Sequence, residues 1–142
     1  MEIDISQANG RVPVTVIQLT GTLDTSNFHE LIAAARQLHE AGVRDLLLDL
    51  AGLTYISSAG LAALHMLTKM FRGESVSTGG AWGKHKQLDR EIGLQEHVKL
   101  FKPSPEVDEV LDTTGFKQFF EVYTDMDTAL QSYGSAVGED AA

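Results

Sequence analysis

Two adjacent serines, Ser57 and Ser58, are the residues of this chain whose type and setting best suit a chemical role. They follow a strand-like segment and open a helix-like one, with Ala59 and Gly60 directly behind them. A hydroxyl in the first turn of a helix is exposed, and a phosphate placed there meets free backbone N–H groups and the positive end of the helix dipole. The setting therefore suggests a phosphorylation switch at Ser58, and it also allows the simpler role of a helix N-cap.

Hydrolysis is the other chemistry that a serine at a strand-to-helix junction could perform. Ser58, Ala59 and Gly60 match half of the nucleophile-elbow motif G-x-S-x-G. Ile56 occupies the place of the first glycine, and no acid and histidine pair downstream is placed to complete a triad. We therefore expect a binding protein rather than an enzyme.

Nucleotide and metal sites are not favoured either. Residues 79–85 (GGAWGKH) resemble a phosphate-binding loop, but the glycine spacing is one residue short and His85 replaces the hydroxyl residue needed at magnesium. The histidines lack metal-ligand spacing. They are His29, His39, His65, His85 and His97. We expect neither a metal nor a cofactor.

Composition limits the class of protein further. The chain has 142 residues, 43% hydrophobic and 22% charged, which suits one globular domain with its own core. Its formal net charge of −9 has no basic cluster to offset it, so nucleic acid and anionic lipid surfaces would be repelled rather than bound. The absence of cysteine excludes thiolate chemistry.

The apolar segments predict no export and no membrane insertion. The first five residues alternate acidic and apolar types, unlike a signal peptide. The longest apolar stretches, residues 43–50 and 60–67, are far shorter than the roughly 20 residues that span a bilayer. We expect a cytoplasmic protein.

The first half of the chain predicts a hairpin followed by a helix and a strand. Residues 3–5 and 11–19 are strand-like around an Asn9-Gly10 turn, with Pro13 at a strand start or edge. The next segment has three candidate N-cap residues and ends at a glycine. The N-cap candidates are Asp24, Thr25 and Ser26, and the glycine is Gly42. The apolar run of residues 43–50 predicts a central strand covered on both faces.

The second half of the chain predicts a helix, then a long insertion, and then strands that alternate with helices again. Residues 58–71 form an unusually apolar helical pattern, and residues 73–96 interrupt the regular order. The next predicted elements are a strand at 97–101 and a helix capped by Ser104 with Pro105 at its first position. A strand at 119–123 and a helix opened by a capping box of Thr124 and Asp127 follow. A small, acidic tail of residues 135–142 is expected to be flexible.

Strands that alternate with helices after a hairpin predict an α/β fold with a mixed β-sheet covered by helices. We predict a single domain over residues 1–134, with the inserted segment at 73–96.

Three motifs in sequence order resemble those of one known family. Residues 48–61 (LDLAGLTYISSAGL) resemble the signature of the STAS domain, the fold of bacterial anti-sigma factor antagonists. Residues 21–24 (GTLD) are similar to the family's early turn, and residues 103–116 (PSPEVDEVLDTTGF) to its late segment. The resemblance covers about residues 3–72 and 97–133, and it implies a STAS-like fold.

The resemblance also implies a mechanism. In that family the serine at the position of Ser58 is phosphorylated by a partner kinase that is also the anti-sigma factor, and the phosphorylated antagonist releases it. The implied partners are a GHKL-type anti-sigma serine kinase and a PP2C-type phosphatase. The residues expected to bind the kinase lie at or near the junction. They are Asp24, Ser57, Ser58, Ala59, Gly60, Leu61 and Leu64.

The chain departs from the family at two places. Ser57 occupies the usual aspartate position, which removes a charge and an acceptor beside Ser58 and makes Ser57 a second candidate phosphoacceptor. The insertion at 73–96 lengthens the usual link between the helix and the next strand. A second hypothesis is therefore a STAS domain that is not phosphorylated and serves as a scaffold or as the soluble subunit of a transporter or other complex.

Overall fold

The computed structural model describes residues 1–72 and 95–134. The glycine-rich loop with Trp82, most of the predicted insertion and the predicted tail of 135–142 lie outside the described residues. The elements, in chain order, are β1 Glu2–Asn9, β2 Pro13–Leu23, α1 Phe28–Glu40, β3 Leu46–Ile56, α2 Ser58–Phe71, β4 Val98–Phe101, α3 Pro105–Thr114, a 3₁₀ turn Phe116–Gln118, β5 Val122–Tyr123 and α4 Met126–Gln131.

The described strands form one mixed sheet in the order β1-β2-β3-β4-β5. β1 and β2 are antiparallel, and Asn9 pairs with Pro13 at the hairpin end, so the predicted hairpin with proline at a strand start is confirmed. The other neighbouring pairs are parallel. The predicted α/β class, a mixed sheet covered by helices, is confirmed.

β3 is the central strand because its apolar side chains enter two separate cores. Leu46 and Leu48 are fully buried in the larger cluster, to which α1, α2 and α3 contribute. Leu47, which points the opposite way, is fully buried in a smaller cluster with Val16 and Leu130. A strand covered on both faces needs a continuous apolar run, so this run correctly predicted the centre of the sheet.

The smaller core contains a buried cation that is fully paired. Lys99 is 5% exposed, and its ammonium lies 2.9 Å from a Glu121 carboxylate oxygen and donates to the carbonyl oxygen and hydroxyl of Ser132. A buried charge is tolerated only with such partners, because desolvation costs several kcal/mol per ion. The Tyr133 hydroxyl donates to the carbonyl of Leu46 on the same face.

Two helix starts differ from the sequence prediction. The N-cap residue of α1 is Asn27 rather than Asp24, Thr25 or Ser26. The cap of α4 is Asp125, whose carboxylate accepts from the backbone N–H and the hydroxyl of Thr128. The prediction of a Thr124 and Asp127 capping box was therefore wrong by one position, because one carboxylate oxygen of Asp125 accepts two hydrogen bonds from the first turn.

Several strands also differ in length from the prediction. β1 and β2 reach beyond the predicted residues 3–5 and 11–19, to Asn9 and Leu23, and β3 ends at Ile56 rather than residue 50. β3 begins at Leu46 rather than residue 43, because the N–H of Val43 donates to the Leu38 carbonyl and keeps that residue in the helix C-terminal turn. The final strand is only Val122–Tyr123 rather than 119–123. Its shortening follows from the 3₁₀ turn just before it, which takes Phe119 into a helical C-cap. The predicted helix over 58–71 and the Ser104 cap with Pro105 are confirmed.

Polar contacts join the chain on either side of the residues that are not described. A guanidinium nitrogen of Arg72 donates to the Gln95 side-chain carbonyl at 3.1 Å. The backbone N–H of Gln95 donates to the Phe119 carbonyl at 2.9 Å. His97 then meets Asp45 at 2.8 Å between its ring Nδ1 and the carboxylate, beside the start of β3. The two flanking segments are thus fixed to each other and to the sheet.

We expect Tyr133→Phe to lower the free energy of unfolding by about 1 kcal/mol, because it removes one buried hydrogen bond to Leu46 without removing the ring. Tyr55→Phe is the matched control, since Tyr55 is 51% exposed, and its effect should stay within about 0.5 kcal/mol. Urea unfolding followed by circular dichroism measures both, and equal values for the two variants would contradict the assignment.

The hydrogen bond to Asp45 raises the pKa of His97 above its ordinary value. This interaction therefore stabilises the fold in full below the unfolded pKa of about 6.5, and the stabilisation is lost as pH rises through the folded pKa. We expect the difference in unfolding free energy between the wild type and His97→Gln to be larger near pH 6 than near pH 9. In an Asp45→Asn background this pH dependence should shrink, and an unchanged dependence there would assign it to another group.

Candidate functional site

The site is built where β2 and β3 end at the same edge of the sheet. Leu23, the last residue of β2, pairs with Ile56, the last residue of β3. The backbone N–H of Ser57 donates to the Leu23 carbonyl at 2.9 Å, which continues the ladder by one residue. Because the strands are parallel, the loop after β2 and the start of α2 come out side by side.

Gly60 lets the first turn of α2 lie directly on these strand ends. A Cβ at this position would stand 2.7 Å from Cγ1 of Ile56, 2.9 Å from Cγ of Leu23 and 3.0 Å from the Leu23 carbonyl oxygen. Such distances leave no room for a side chain without movement of the backbone or of buried neighbours. The glycine is therefore required for a close approach, and it fixes how far α2 stands from the sheet.

Ser57 is the N-cap of α2. Its backbone is extended, its hydroxyl oxygen accepts from the N–H of Gly60 at 3.3 Å, and its carbonyl accepts from the N–H of Leu61 at 2.9 Å. The serine hydroxyl accepts the capping hydrogen bond that a carboxylate would also accept, so the cap is kept without the aspartate. What serine lacks beside Ser58 is the negative charge.

Ser58 is the first residue of α2, and its side chain is exposed. Its hydroxyl makes no hydrogen bond with any residue of the described ranges, and Ser57 already supplies the cap, so the interpretation of Ser58 as the N-cap was wrong. The hydroxyl therefore points to solvent at a helix N-terminus, where backbone N–H groups have no helical partner.

Asp24 organises the loop beside this helix start. One carboxylate oxygen accepts from the N–H and the hydroxyl of Ser26 at 2.9 and 2.6 Å, and the other accepts from the Thr22 hydroxyl at 3.2 Å. The hydrogen bonds from Ser26 are the main cause of the lowered pKa of Asp24. The carboxylate thus stays charged but is already occupied by its own loop.

Asn27 is a structural residue of the site that the sequence analysis missed. Its side-chain carbonyl accepts from the N–H of Asp24 at 2.9 Å, and its amide donates to the Thr22 carbonyl at 2.9 Å. The side chain is 8% exposed and ties the end of β2 to the start of α1. Its position just before an apolar helical pattern is the signal that could have found it, since asparagine is a favoured residue there.

Three of the residues predicted to bind a partner are buried. Leu61 is 8% exposed, Leu64 is fully buried in the larger core, and Gly60 is buried against the strand ends. Leu61 and Leu64 therefore offer no apolar surface to a partner, because both side chains are buried in the larger core. Their role is to hold the helix that carries Ser58.

Tyr55 is the large apolar side chain that the site does expose, at 51%. The pairing of β2 and β3 runs from Gly21 opposite Leu53 to Thr22 opposite Tyr55, so Thr54 is an extra residue in β3. This bulge breaks the inward and outward alternation, and Thr54 and Tyr55 are both exposed. Strict alternation would have buried Tyr55 together with Leu53, which is why the sequence did not reveal it.

Among residues 1–72 and 95–134, no group of three or more histidine and acidic residues could hold a metal ion. No helix in the same ranges combines the length and the apolar character needed to cross a membrane.

Comparisons with known proteins agree with the fold. A family model described as Mlab, STAS domain, matches residues 7–100, which include β3 and α2. A Bordetella bronchiseptica protein named as an anti-sigma factor antagonist, BtrV, is 27% identical over 119 residues, which cover 84% of this chain and 85% of that protein.

Two solved structures share the fold. A protein of Thermotoga maritima described as an anti-sigma factor antagonist superimposes with a TM-score of 0.67 and 15% identity, over 91% of this chain and 92% of that one. The anti-sigma factor antagonist SpoIIAA in its unphosphorylated form gives a TM-score of 0.57 and 16% identity, over 96% and 97% of the two chains. At these identities the likeness establishes the fold alone.

We expect Ser57→Ala to lower the free energy of unfolding by about 1 kcal/mol through loss of the cap, and Ser58→Ala to change it by less than about 0.5 kcal/mol. Ser57→Asp should equal or exceed the wild type, because it keeps an acceptor and adds negative charge at a helix N-terminus. Chemical denaturation compares the three variants. A loss in Ser58→Ala as large as that in Ser57→Ala would mean that the Ser58 hydroxyl is structural.

Proposed function

This chain belongs to the STAS domain family, and we propose that it is an anti-sigma factor antagonist whose partner is an anti-sigma factor with GHKL-type serine kinase activity. The observation that carries the proposal is that the two adjacent serines have different structural roles. Ser57 caps α2, and the neighbouring Ser58 presents an exposed hydroxyl without a hydrogen bond to any described residue. In this proposal Ser58 is the phosphoacceptor.

The location of Ser58 is compatible with a phosphate. A dianionic group on the first helical residue faces the N-terminal end of α2, where the dipole and unpaired N–H groups favour negative charge by about 0.3–1 kcal/mol. No acidic residue stands in the first turn of α2 to oppose it. The modified helix start would therefore remain folded, and the change would be felt by whatever binds there.

Ser57 is the less suitable acceptor. Its side chain is half-buried, and its hydroxyl oxygen is engaged with the Gly60 N–H. Phosphorylation of Ser57 would require that capping contact to be rebuilt. The absence of the aspartate charge at this position leaves the kinase to recognise Ser58 through the backbone of the junction and the surrounding surface.

The surface that surrounds Ser58 is the proposed partner site. Its accessible members are Asp24, Ser57, Ala59 and the exposed ring of Tyr55. Phosphorylation would add about −1.5 to −2 charges here and repel a partner that packs closely on this surface. Gly60, Leu61 and Leu64 contribute by holding α2 in place rather than by contact.

The names of similar proteins support this role. BtrV is named as an anti-sigma factor antagonist, and SpoIIAA is an anti-sigma factor antagonist described in an unphosphorylated form. A PP2C-type phosphatase would complete the cycle by removing the phosphate from Ser58. A protein of this kind acts by binding, without catalysis of its own, and in the cytoplasm where sigma factors work.

The test incubates the purified chain with the GHKL-type kinases encoded in the same genome and Mg-ATP, and locates phosphate by mass spectrometry. We expect one phosphate on Ser58 with the cognate kinase, and none in Ser58→Ala. Ser58→Asp should weaken kinase binding at least tenfold, about 1.4 kcal/mol, while Ser58→Ala should keep it. Ser57→Asp, which keeps the cap, is the matched charge control and should still be phosphorylated.

Kinase activity must be established separately, by ATP hydrolysis or by phosphorylation of a known substrate. With active kinases, a chain that binds one of them but carries no phosphate on Ser58 contradicts the switch. Binding to another complex, unaffected by Ser58→Asp, would instead support the scaffold hypothesis.

A further inference from the structure

β1 is an edge strand with one unpaired side. It has eight residues, its partner is β2, and no other described strand pairs with it. The N–H of Thr15 in β2 donates to the Asp45 carbonyl at 3.0 Å, on the side of β3. The backbone N–H and C=O groups of successive residues point to opposite edges of a strand. Those of the even-numbered residues of β2 are therefore directed toward β1.

This alternation identifies which backbone groups of β1 are open. Even-numbered residues of β1 pair with even-numbered residues of β2, as Ser6 does with Val16. The N–H and C=O groups of Ile3, Ile5 and Gln7 therefore point away from the sheet. They form a row of donors and acceptors of the kind that pairs with another strand.

Two of the usual protections of an edge strand, a bulge and a proline, are absent from β1, and its charged side chains are two acids near one end, Glu2 and Asp4. Its register with β2 is continuous from Glu2 to Asn9, without a bulge, and the strand contains no proline. The side chain of Ile5, at the middle of the strand, is 47% exposed. Only Ile5 and Tyr55 are exposed large hydrophobic residues within the described ranges.

We propose that β1 pairs with β1 of a second copy of this chain, antiparallel and with Ile5 opposite Ile5 on a twofold axis. About six backbone hydrogen bonds would form, two between the Ile5 residues and four between Ile3 and Gln7 of opposite copies. The two exposed isoleucine side chains would lie on the same face and cover each other.

Charge selects this register. With Ile5 on the axis, Asp4 faces Ser6 and Glu2 faces Ala8 of the other copy, so no two acidic residues are directly opposed. With Ile3 on the axis, Glu2 and Asp4 would face each other, which is destabilising. With Gln7 on the axis, like charges are avoided, but Ile5 faces Asn9 and the apolar contact is lost.

The dimer is a weak one for two physical reasons. A single strand pair buries less than the roughly 800 Å² per partner of a standard interface. Each copy also has a formal net charge of −9, so the two repel each other at long range. Raising salt from about 0.1 to 1 M shortens the Debye length from about 10 to 3 Å and should therefore strengthen the association.

Sedimentation velocity over a range of protein concentration tests the proposal. We expect a dimer fraction that grows with concentration and with salt. Ile5→Lys should remove it by placing two ammonium groups together at the axis. Tyr55→Lys is the matched control, because it makes the same charge change at the other exposed apolar side chain and should leave the dimer intact.

Cysteine cross-linking tests the register without depending on the lysine variants, since the chain has no cysteine of its own. Under mild oxidation Ile5→Cys should form a disulfide dimer, because directly paired Cα atoms lie about 5.5 Å apart, within the range of disulfides. Glu2→Cys should not, because the two sulfurs would be about 20 Å apart, six residues along the strand.

Three results would overturn the proposal. A chain that stays monomeric at every concentration and at both salt levels has no such interface. Loss of the dimer in Tyr55→Lys as well as Ile5→Lys would locate the contact elsewhere or assign it to charge alone. Equal cross-linking of Glu2→Cys and Ile5→Cys would reject the Ile5 register. None of these outcomes depends on phosphorylation of Ser58.

Discussion

The close packing of Gly60 against Leu23 and Ile56 is the constraint on which the rest of the site depends. It sets the distance between α2 and the ends of β2 and β3, where a Cβ would be only 2.7 Å from Ile56. With the helix at this height, the Ser57 N–H reaches the Leu23 carbonyl and its hydroxyl reaches the Gly60 N–H. Ser58 is then the first residue of α2, and it faces solvent.

This arrangement determines how a charge on Ser58 would act. α2 is anchored along its length by side chains such as Leu64 and Leu67, which are fully buried in the larger core. A helix held in this way does not shift or unwind at a cost that a single surface charge could offset, since each buried leucine contributes about 1.5–3 kcal/mol. Regulation at this site is therefore expected to be a change of surface electrostatics rather than of backbone conformation.

The sequence was most informative where one periodicity extends over a whole element. The apolar helical pattern of residues 58–71 correctly predicted the bounds of α2, and the run around Leu47 identified the central strand, because burial on two faces leaves few polar positions.

The sequence was least informative where geometry depends on neighbouring strands. The bulge at Thr54 arises from the pairing of β3 with Gly21 and Thr22 of β2. No local sequence pattern indicates that Tyr55 faces outward. Leu61 was expected to bind a partner because of the family resemblance, and an apolar helical pattern does not say which of its side chains are buried in the protein's own core.

The contact between Arg72 and Gln95 has a consequence for the evolution of this fold. Because these residues join the two ends of the intervening segment, the end of α2 and the approach to β4 are held together by contacts within the described residues. For a flexible loop, each doubling of length costs only about 0.6 kcal/mol in closure entropy. New sequence, or even an entire inserted domain, can therefore be acquired at this junction while the rest of the molecule keeps its architecture.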